Sequence, residues 1–533
     1  MVFKMLITRR RLALSAATIV AFATGGSFLK IQLNKADTKS ESNEFFRYLP
    51  IPELWDARKL NGKIVLTVQE GETEIVLGVN VPTLGYSSSI LGPTIRFQNG
   101  DTVNVKITNS LDSETNIHWH GLMIPSESDG GPNNLIKPAQ ISEFSFHVMQ
   151  RASTAWYHPL VHGDTGRQVY FGLAGMIIVD DALSANFDLP TRYGLDDLPI
   201  ILQDLFFNDN GDLLYDNSPD GFRHGLRGNT ITVNGIYGPV AEVPKGLVRL
   251  RLLNAANARN FRLSFDDGRS MHVIAGDDGF LSAPSAISML TIAPGERYEI
   301  LVDFSDGSST ALLAYTDRNG QPSTYLTDEL DQISSNANDI IRPVMRFDPA
   351  DTTPTVAHQI PSKLAGVETV VASSDFRRRV FLMDTMEVKN QHLYGGLQDQ
   401  QSPTQPAGET QTAVATKTAL ELGFQMGFNG RAFDSSRIDE EVKLGSKEIW
   451  DIRGSEMALP FHIQGASFRI LNLDGAPPQA HQSGLKDTVL VNKQAEILVS
   501  FDQPTTVGKP FIFYCHILEH EDAGMMGQYL VRV

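Results

Sequence analysis

The sequence predicts an all-β protein built from three β-sandwiches. Short β-branched runs with period-two alternation recur from about residue 63 onward, separated by Gly, Asn, Asp and Pro turns. No long amphipathic helical pattern interrupts them. Two stretches read as linkers: "DDALSANFDLPTRYG", starting at Asp180, and "RFDPADTTPTVAHQIPSKL", from 346 to 364. They divide the chain into three parts, each long enough to close a sandwich of its own.

Residues 1–44 are expected to be an export signal and linker. In "ITRRRLALSAATIVAFATGGSF" the arginines 9 to 11 precede an apolar run from Leu12 to about Phe22, too short for a good membrane span. The Arg pair resembles a twin-arginine signal, and an ordinary Arg-rich signal peptide is the alternative. Either implies export, and no A-x-A cleavage site stands out. The first sandwich is expected over 45–183, with "KIVLTVQEG", "TVNVKITNS", "EFSFHVM" and "AGMIIVDD" as strands. The second, over 184–350, contains "LPIILQDLFF", "ITVNGIYG", "LVRLRLLNA" and "RYEILVDF". The third, over 351–533, contains "EIWDIRG", "SFRILNLDG" and "AEILVSFDQP". A polar stretch of low hydrophobicity, about 390–417, reads as an insertion in this last part.

Composition narrows the function classes. With 41% apolar and 20% charged residues the 533-residue chain has a soluble globular composition. A formal net charge of −17 argues against nucleic acid or an anionic membrane surface as the main partner. It fits attraction of cations but names no substrate. Closed cores and a charged surface fit a monomer. The single cysteine, Cys515, excludes an intramolecular disulfide, so it is either an incidental buried thiol or a ligand.

The thirteen histidines are unevenly spread. His118 and His120 lie in "IHWHG", His158 in "WYHPLVHG", His462 in "LPFHIQG", and His516 and His520 in "FIFYCHILEHEDAGMM". On a strand, His118 and His120 would project onto one face, where two imidazoles can reach neighbouring metals. Cys515 and His516 would point to opposite sides and so touch two different centres. Thiolate, imidazole and thioether together favour copper in a trigonal site with a weak axial Met. Each signal alone is weak, since a lone His-x-His is more often a polar pair at a turn or sheet edge. Four clusters in one exported all-β chain are another matter.

From about residue 45 to the end the chain resembles the three-domain multicopper oxidases, in particular the bacterial periplasmic cuprous oxidases and laccase-like enzymes. "ILGPTIRFQNGD", "IHWHGL", "DGGP", "GRQVYFGLAGMIIVDD", "RLRLLNAANARNF", "PFHIQGASFRIL" and "CHILEHEDAGMM" carry the likeness. The resemblance implies three cupredoxin-like Greek-key sandwiches, copper as cofactor and a periplasmic location.

It also implies a ligand set. Cys515, His520 and Met525 match the type 1 copper, whose remaining histidine position is Leu459. His118 and His462 match the type 2 copper. His120, His158 and His516 match one type 3 copper, whereas Leu160, Gln464 and Tyr514 stand at all three ligand positions of the other. Leu has no lone pair, and amide oxygen and neutral phenol are weak partners for copper beside imidazole. An incomplete copper set is therefore expected, with four-electron reduction of O2 absent or very slow. Drift explains why the ligands of one copper disappear together; it explains less well why those of its two neighbours all survive. Asp129 and Glu521 match the carboxylates that assist proton delivery; the alternative is an ordinary turn Asp and a solvated Glu. His162 and His481 fall outside the ligand positions, and His147, His224, His272, His358 and His392 read as structural or surface residues. The methionine-rich insertion common in cuprous oxidases has no counterpart beyond Met383, Met386 and Met426.

Three functions follow as expectations. One is a copper-binding oxidoreductase acting on a small reductant, cuprous ion or a phenol. Another is a non-catalytic periplasmic scaffold with a protein partner, for which a cell-division protein of this family is a precedent. The third is a copper carrier.

Overall fold

The computed structural model describes residues 47–317, 339–351, 359–364, 373, 375–387, 423–454, 457–506 and 508–533. The expected export signal and the polar insertion at 390–417 lie outside the described residues.

Six sheets pair into three sandwiches. In the first, Leu54–Asp56, Thr94–Gln98, Gly175–Asp180 and Ser153–Tyr157 form one sheet, and Val79–Tyr86, Lys63–Val76, Thr102–Asn109 and Ile141–His147 the other. The strand starting at Lys63 shows the physical cause. Ile64, Leu66 and Val68 are fully buried while Lys63 and Val65 face water, so alternation alone sets its inner face. The second sandwich pairs a sheet centred on Asp197–Phe207, Leu247–Asn254 and Arg297–Asp303 with one centred on Pro239–Pro244, Asp339–Ala350 and Thr310–Asp317. The third pairs a sheet holding Arg377–Glu387, Lys447–Gly454 and Gln494–Ser500 with one holding Leu459–Ile463, Phe511–Cys515 and Met526–Arg532. Each sandwich has its own apolar core. The three cupredoxin-like sandwiches are those expected.

Two segments differ from the expectation. The start of the second linker, "RFDPA", is strand: Asp339–Ala350 pairs on both sides, with Val344, Met345 and Phe347 in the core. Pro343 is tolerated there because it sits where the register shifts. At the other end, Arg47–Tyr48 pairs in parallel with Pro239–Val240 and so joins the second sandwich's sheet, although it precedes the first in the chain. Met383 and Met426 are core residues, buried on neighbouring strands. The longest described helices have six residues. No helix among the described residues is long and apolar enough to cross a membrane.

The third sandwich meets the other two through its C-terminal strand ends. The short helix Leu518–Asp522 packs on Thr165–Tyr170 of the first and Pro219–His224 of the second. Asp522 accepts hydrogen bonds from the Thr165 and Gly166 amides at 2.9 and 2.8 Å, satisfying two of the free N–H groups at that helix start. This junction holds the loops that carry the histidines.

Candidate metal centre

Five imidazoles converge at the junction. His118 and His120 are not on a regular strand; His118 makes a single antiparallel bridge with His158. Their rings still share one side, with centroids 5.4 Å apart. His462 lies near the end of Leu459–Ile463, and His516 follows directly on Phe511–Cys515. His120, His158 and His516 form a nearly equilateral triangle, with centroid separations of 5.1, 5.4 and 5.5 Å. His118 and His462 lie to one side, 5.6 Å apart. Donor atoms of His118, His120 and His158 fall within 4.8 Å of one another, as do those of His120, His462 and Asp487.

The hydrogen bonds assign the proton on four of the five rings. His118 Nδ1 donates to Asp129 Oδ1 at 2.7 Å, which leaves a lone pair on Nε2, and that atom has no partner. His462 Nδ1 lies 3.0 Å from both the Asp487 carbonyl oxygen and Thr488 Oγ1, and its Nε2 is also unpartnered. His158 Nδ1 donates to the Pro159 carbonyl at 2.8 Å. His120 Nε2 donates to Asp487 Oδ1 at 3.2 Å. The two remaining nitrogens, His158 Nε2 and His120 Nδ1, then face each other at 3.3 Å with a lone pair each. A cation relieves that arrangement. Both nitrogens of His516 are buried without partners. Burial pushes His120, His158 and His516 well below the usual imidazole range and lowers His462 as well, so the rings are in the neutral, ligating form. These residues fit a bound metal ion.

The three replaced positions of the second type 3 set do something else. Leu160 and Tyr514 pack with Ile512 and Met526 in a small apolar cluster beside the imidazoles. The Gln464 amide is fully engaged: Nε2 donates to the Gly130 carbonyl at 3.1 Å and lies 3.0 Å from His118 Nδ1, and Oε1 accepts from the Ile512 amide at 3.0 Å. It links a loop of the first sandwich to a strand of the third. The corner is filled by packing.

Cys515, His520 and Met525 lie together as expected. Cys515 Sγ is 3.7 Å from His520 Nδ1, and His520 Nε2 donates to the Arg223 carbonyl at 3.0 Å, which keeps the lone pair on the sulfur side. Met525 and Leu459 are buried in the same core as Cys515. Burial raises the Cys515 thiol far above its usual range and lowers His520 to about 3. The His520 shift predicts a pH signature. Below pH about 6.5 the unfolded chain takes up a proton that the folded ring refuses. The stability of the protein relative to His520→Asn should therefore fall by about 1.4 kcal/mol per pH unit as pH drops from about 6.5 towards about 3. Paired unfolding curves across that window measure it; a difference independent of pH would refute it.

Asp129 and Glu521 are both buried, so neither is an exposed surface group. Asp129 Oδ1 also accepts from the Trp119 amide at 2.9 Å, so this carboxylate orients His118. Glu521 accepts from Thr165 Oγ1 at 3.1 Å, and its Oε2 has no partner. Burial, reinforced by Asp522, holds Glu521 well above the usual carboxylate range, so it keeps its proton. His162 packs against Phe433 and His481 against Tyr298. His147 bonds Thr102 on the first sandwich, His224 ends a helix beside Asp220, and His272 is half-buried on a strand. His358 and His392 lie outside the described residues.

Groups with no sequence signal complete the centre. Asp487 bonds His120, and its main-chain oxygen bonds His462. Burial alone would raise its pKa, but Arg297 and His120 bring it well below the usual carboxylate value. Arg297 holds both its oxygens, at 2.7 and 2.6 Å. Trp156 stacks on His158 with centroids 4.0 Å apart. Gly295, at φ +82°, lies so close to His516 that a Cβ there would meet the ring at 2.6 Å.

Comparison with known proteins shows the family. Three sequence models described as multicopper oxidase match residues 67–184, 196–327 and 401–533. The cell division protein FtsP of Escherichia coli is 35% identical over 492 residues, 91% of this chain and 92% of that one. The multicopper oxidase mco of Staphylococcus aureus is 32% identical over 509 residues, 93% of each. Among solved structures, a laccase-like multi-copper oxidase, CueO, from the lignin-degrading bacterium Ochrobactrum sp. is 40% identical, with a TM-score of 0.78, over 91% of this chain and 100% of that one. The chain belongs to the multicopper oxidase family.

Proposed function

We propose that this chain is an exported, periplasmic copper-binding protein that retains part of its family's copper set and does not carry out four-electron reduction of O2. His118 and His462 hold copper at the type 2 position, and His120, His158 and His516 at one type 3 position. Cys515, His520 and Met525 form a weakened type 1 site. The observation that carries this reading is the pairing of unpartnered ring nitrogens on His118, His462 and His516 with an apolar filling at Leu160 and Tyr514. Bound copper would accept electrons one at a time from a small reductant, cuprous ion or a phenol. Asp129 fixes the tautomer of His118, and the protonated Glu521 is a proton source. The twin-arginine route suits export of a folded chain, and the domain limits at 183 and 350 belong to the same proposal.

A second reading, a non-catalytic scaffold, is supported by relatives at 34–35% identity named as cell division proteins. The mature chain expressed with copper separates the two. The expected result is fewer coppers per chain than the family's four, without rapid oxygen uptake on a phenol. A full complement with rapid uptake overturns the proposal, and a chain that takes up no copper leaves the scaffold.

A further inference from the structure

The lost type 3 ligands are not equivalent. Leu160 cannot ligate, and both ends of the Gln464 amide are already engaged, Nε2 with the Gly130 carbonyl and His118 Nδ1 and Oε1 with the Ile512 amide. Tyr514 is different. Its hydroxyl is buried and has no hydrogen-bond partner. Other buried tyrosines satisfy theirs: Tyr157 donates to the Pro93 carbonyl at 2.8 Å and Tyr170 to the Leu214 carbonyl at 2.6 Å. Tyr86 also lacks a partner, but its ring packs against Tyr157 inside the first core. Tyr514 faces imidazoles. It stands directly opposite His462 on the neighbouring antiparallel strand, so the two side chains share a face. Its ring centroid is 5.0 Å from His462, 5.5 Å from His516 and 6.4 Å from His118. Of the five clustered imidazoles, these are the three with unpartnered nitrogens.

We infer that the Tyr514 oxygen is itself a metal ligand, so that the residual centre is a mixed imidazole–phenolate site for Cu(II). The inference rests on the copper-binding reading above and deepens it. An anionic oxygen beside imidazoles is a harder donor set than imidazole alone and favours Cu(II) over Cu(I). On loading, the phenol O–H bond breaks, the oxygen bonds the metal, and the proton leaves to solvent. No electron changes hands. The ring stays packed on Leu160, Ile512 and Met526, which fixes its direction at no further ordering cost.

The test is a Cu(II) titration of the mature chain in a Cys515→Ser background, which removes thiolate-to-copper absorption from the other site. Visible absorption and resonance Raman report phenolate bound to Cu(II), and chelator competition reports affinity. The expected result is a phenolate charge-transfer band with its ring modes. Tyr514→Phe, which removes only the oxygen, should abolish both and weaken Cu(II) binding by at least about tenfold, as loss of a ligand must exceed loss of a supporting group. Bound Cu(II) without phenolate modes overturns this inference and leaves the copper-binding reading standing. Failure to bind Cu(II) at all overturns both. The Raman signature is read with Tyr514 in place, so a folding defect in Tyr514→Phe does not blunt the test.

Discussion

Histidine placed at positions 160, 459, 464 and 514 together should raise the copper content of the chain and switch on oxygen uptake. The five retained imidazoles and Cys515, His520 and Met525 already occupy their places around the junction. On the proposed assignment the missing imidazoles are those at 160, 464 and 514, where Leu160 and Tyr514 pack in a small cluster, and at 459, where Leu459 shares the core that holds Cys515. Changes to groups that merely support ligands cost about 10–100-fold in metal affinity, so placing imidazoles directly at 160, 464 and 514 should gain more than that at this corner. The same change should destabilise the metal-free protein. Each new buried imidazole without a partner costs about 1–3 kcal/mol, and Gln464→His also breaks the bridge from Gly130 to Ile512. Copper then stabilises the folded state by mass action. The variant should therefore melt below the parent without copper and recover with it, with copper per chain and oxygen consumption rising in step. Leu160→His alone should gain no copper, because one imidazole in an apolar cluster has no companions. A quadruple variant that folds and binds no additional copper would show that the positions are wrongly assigned.

Much of this was legible in the chain itself. Strands such as Lys63–Val76 announce themselves because burial on one side and water on the other force alternation. The grouping of His118, His120, His158, His462 and His516 was legible as well, although by a partly different route. His118 and His120 reach one side through a turn and a single bridge, where strand alternation had suggested it. Short-range signals stopped at two points. The end of Asp339–Ala350, from residue 346, reads as the start of a linker, yet partners on both sides make it a strand. Asp487 and Arg297 have no local pattern, because the contacts that define them are distant: 190 residues separate Arg297 from Asp487, and 367 separate Asp487 from His120. Position 464 shows the same limit. Sequence marks Gln464 as a lost ligand; only the fold shows that it joins two sandwiches through backbone bonds.

Arg297→Met should cost about 3–5 kcal/mol of stability and weaken copper binding at the imidazoles as well. Arg297 is fully buried at the start of a strand of the second sandwich. It donates to Asp487 in the third and to the Thr154 carbonyl in the first, and it bonds the Gly295 and Asp277 carbonyls of its own loops. Methionine fills similar volume without charge, so the main loss is compensation for Asp487, which would be left as an unpaired buried carboxylate. That carboxylate must then take a proton or pull harder on His120. In either case the bond that sets the His120 tautomer changes, and the lone pair on Nδ1, facing His158, is no longer assured. Asp487→Asn keeps size and some hydrogen bonding but removes the nearest counter-charge of Arg297, leaving Asp277 at 3.6 Å and Asp278 at 3.9 Å, so it should be destabilising too. The double variant, Arg297→Met with Asp487→Asn, removes both charges and should recover part of the stability lost by either alone. Copper affinity should not recover with it, because the carboxylate that orients His120 is still gone. Unfolding midpoints and copper titrations on these variants separate the two roles: stability follows the charge balance, and metal binding follows the carboxylate.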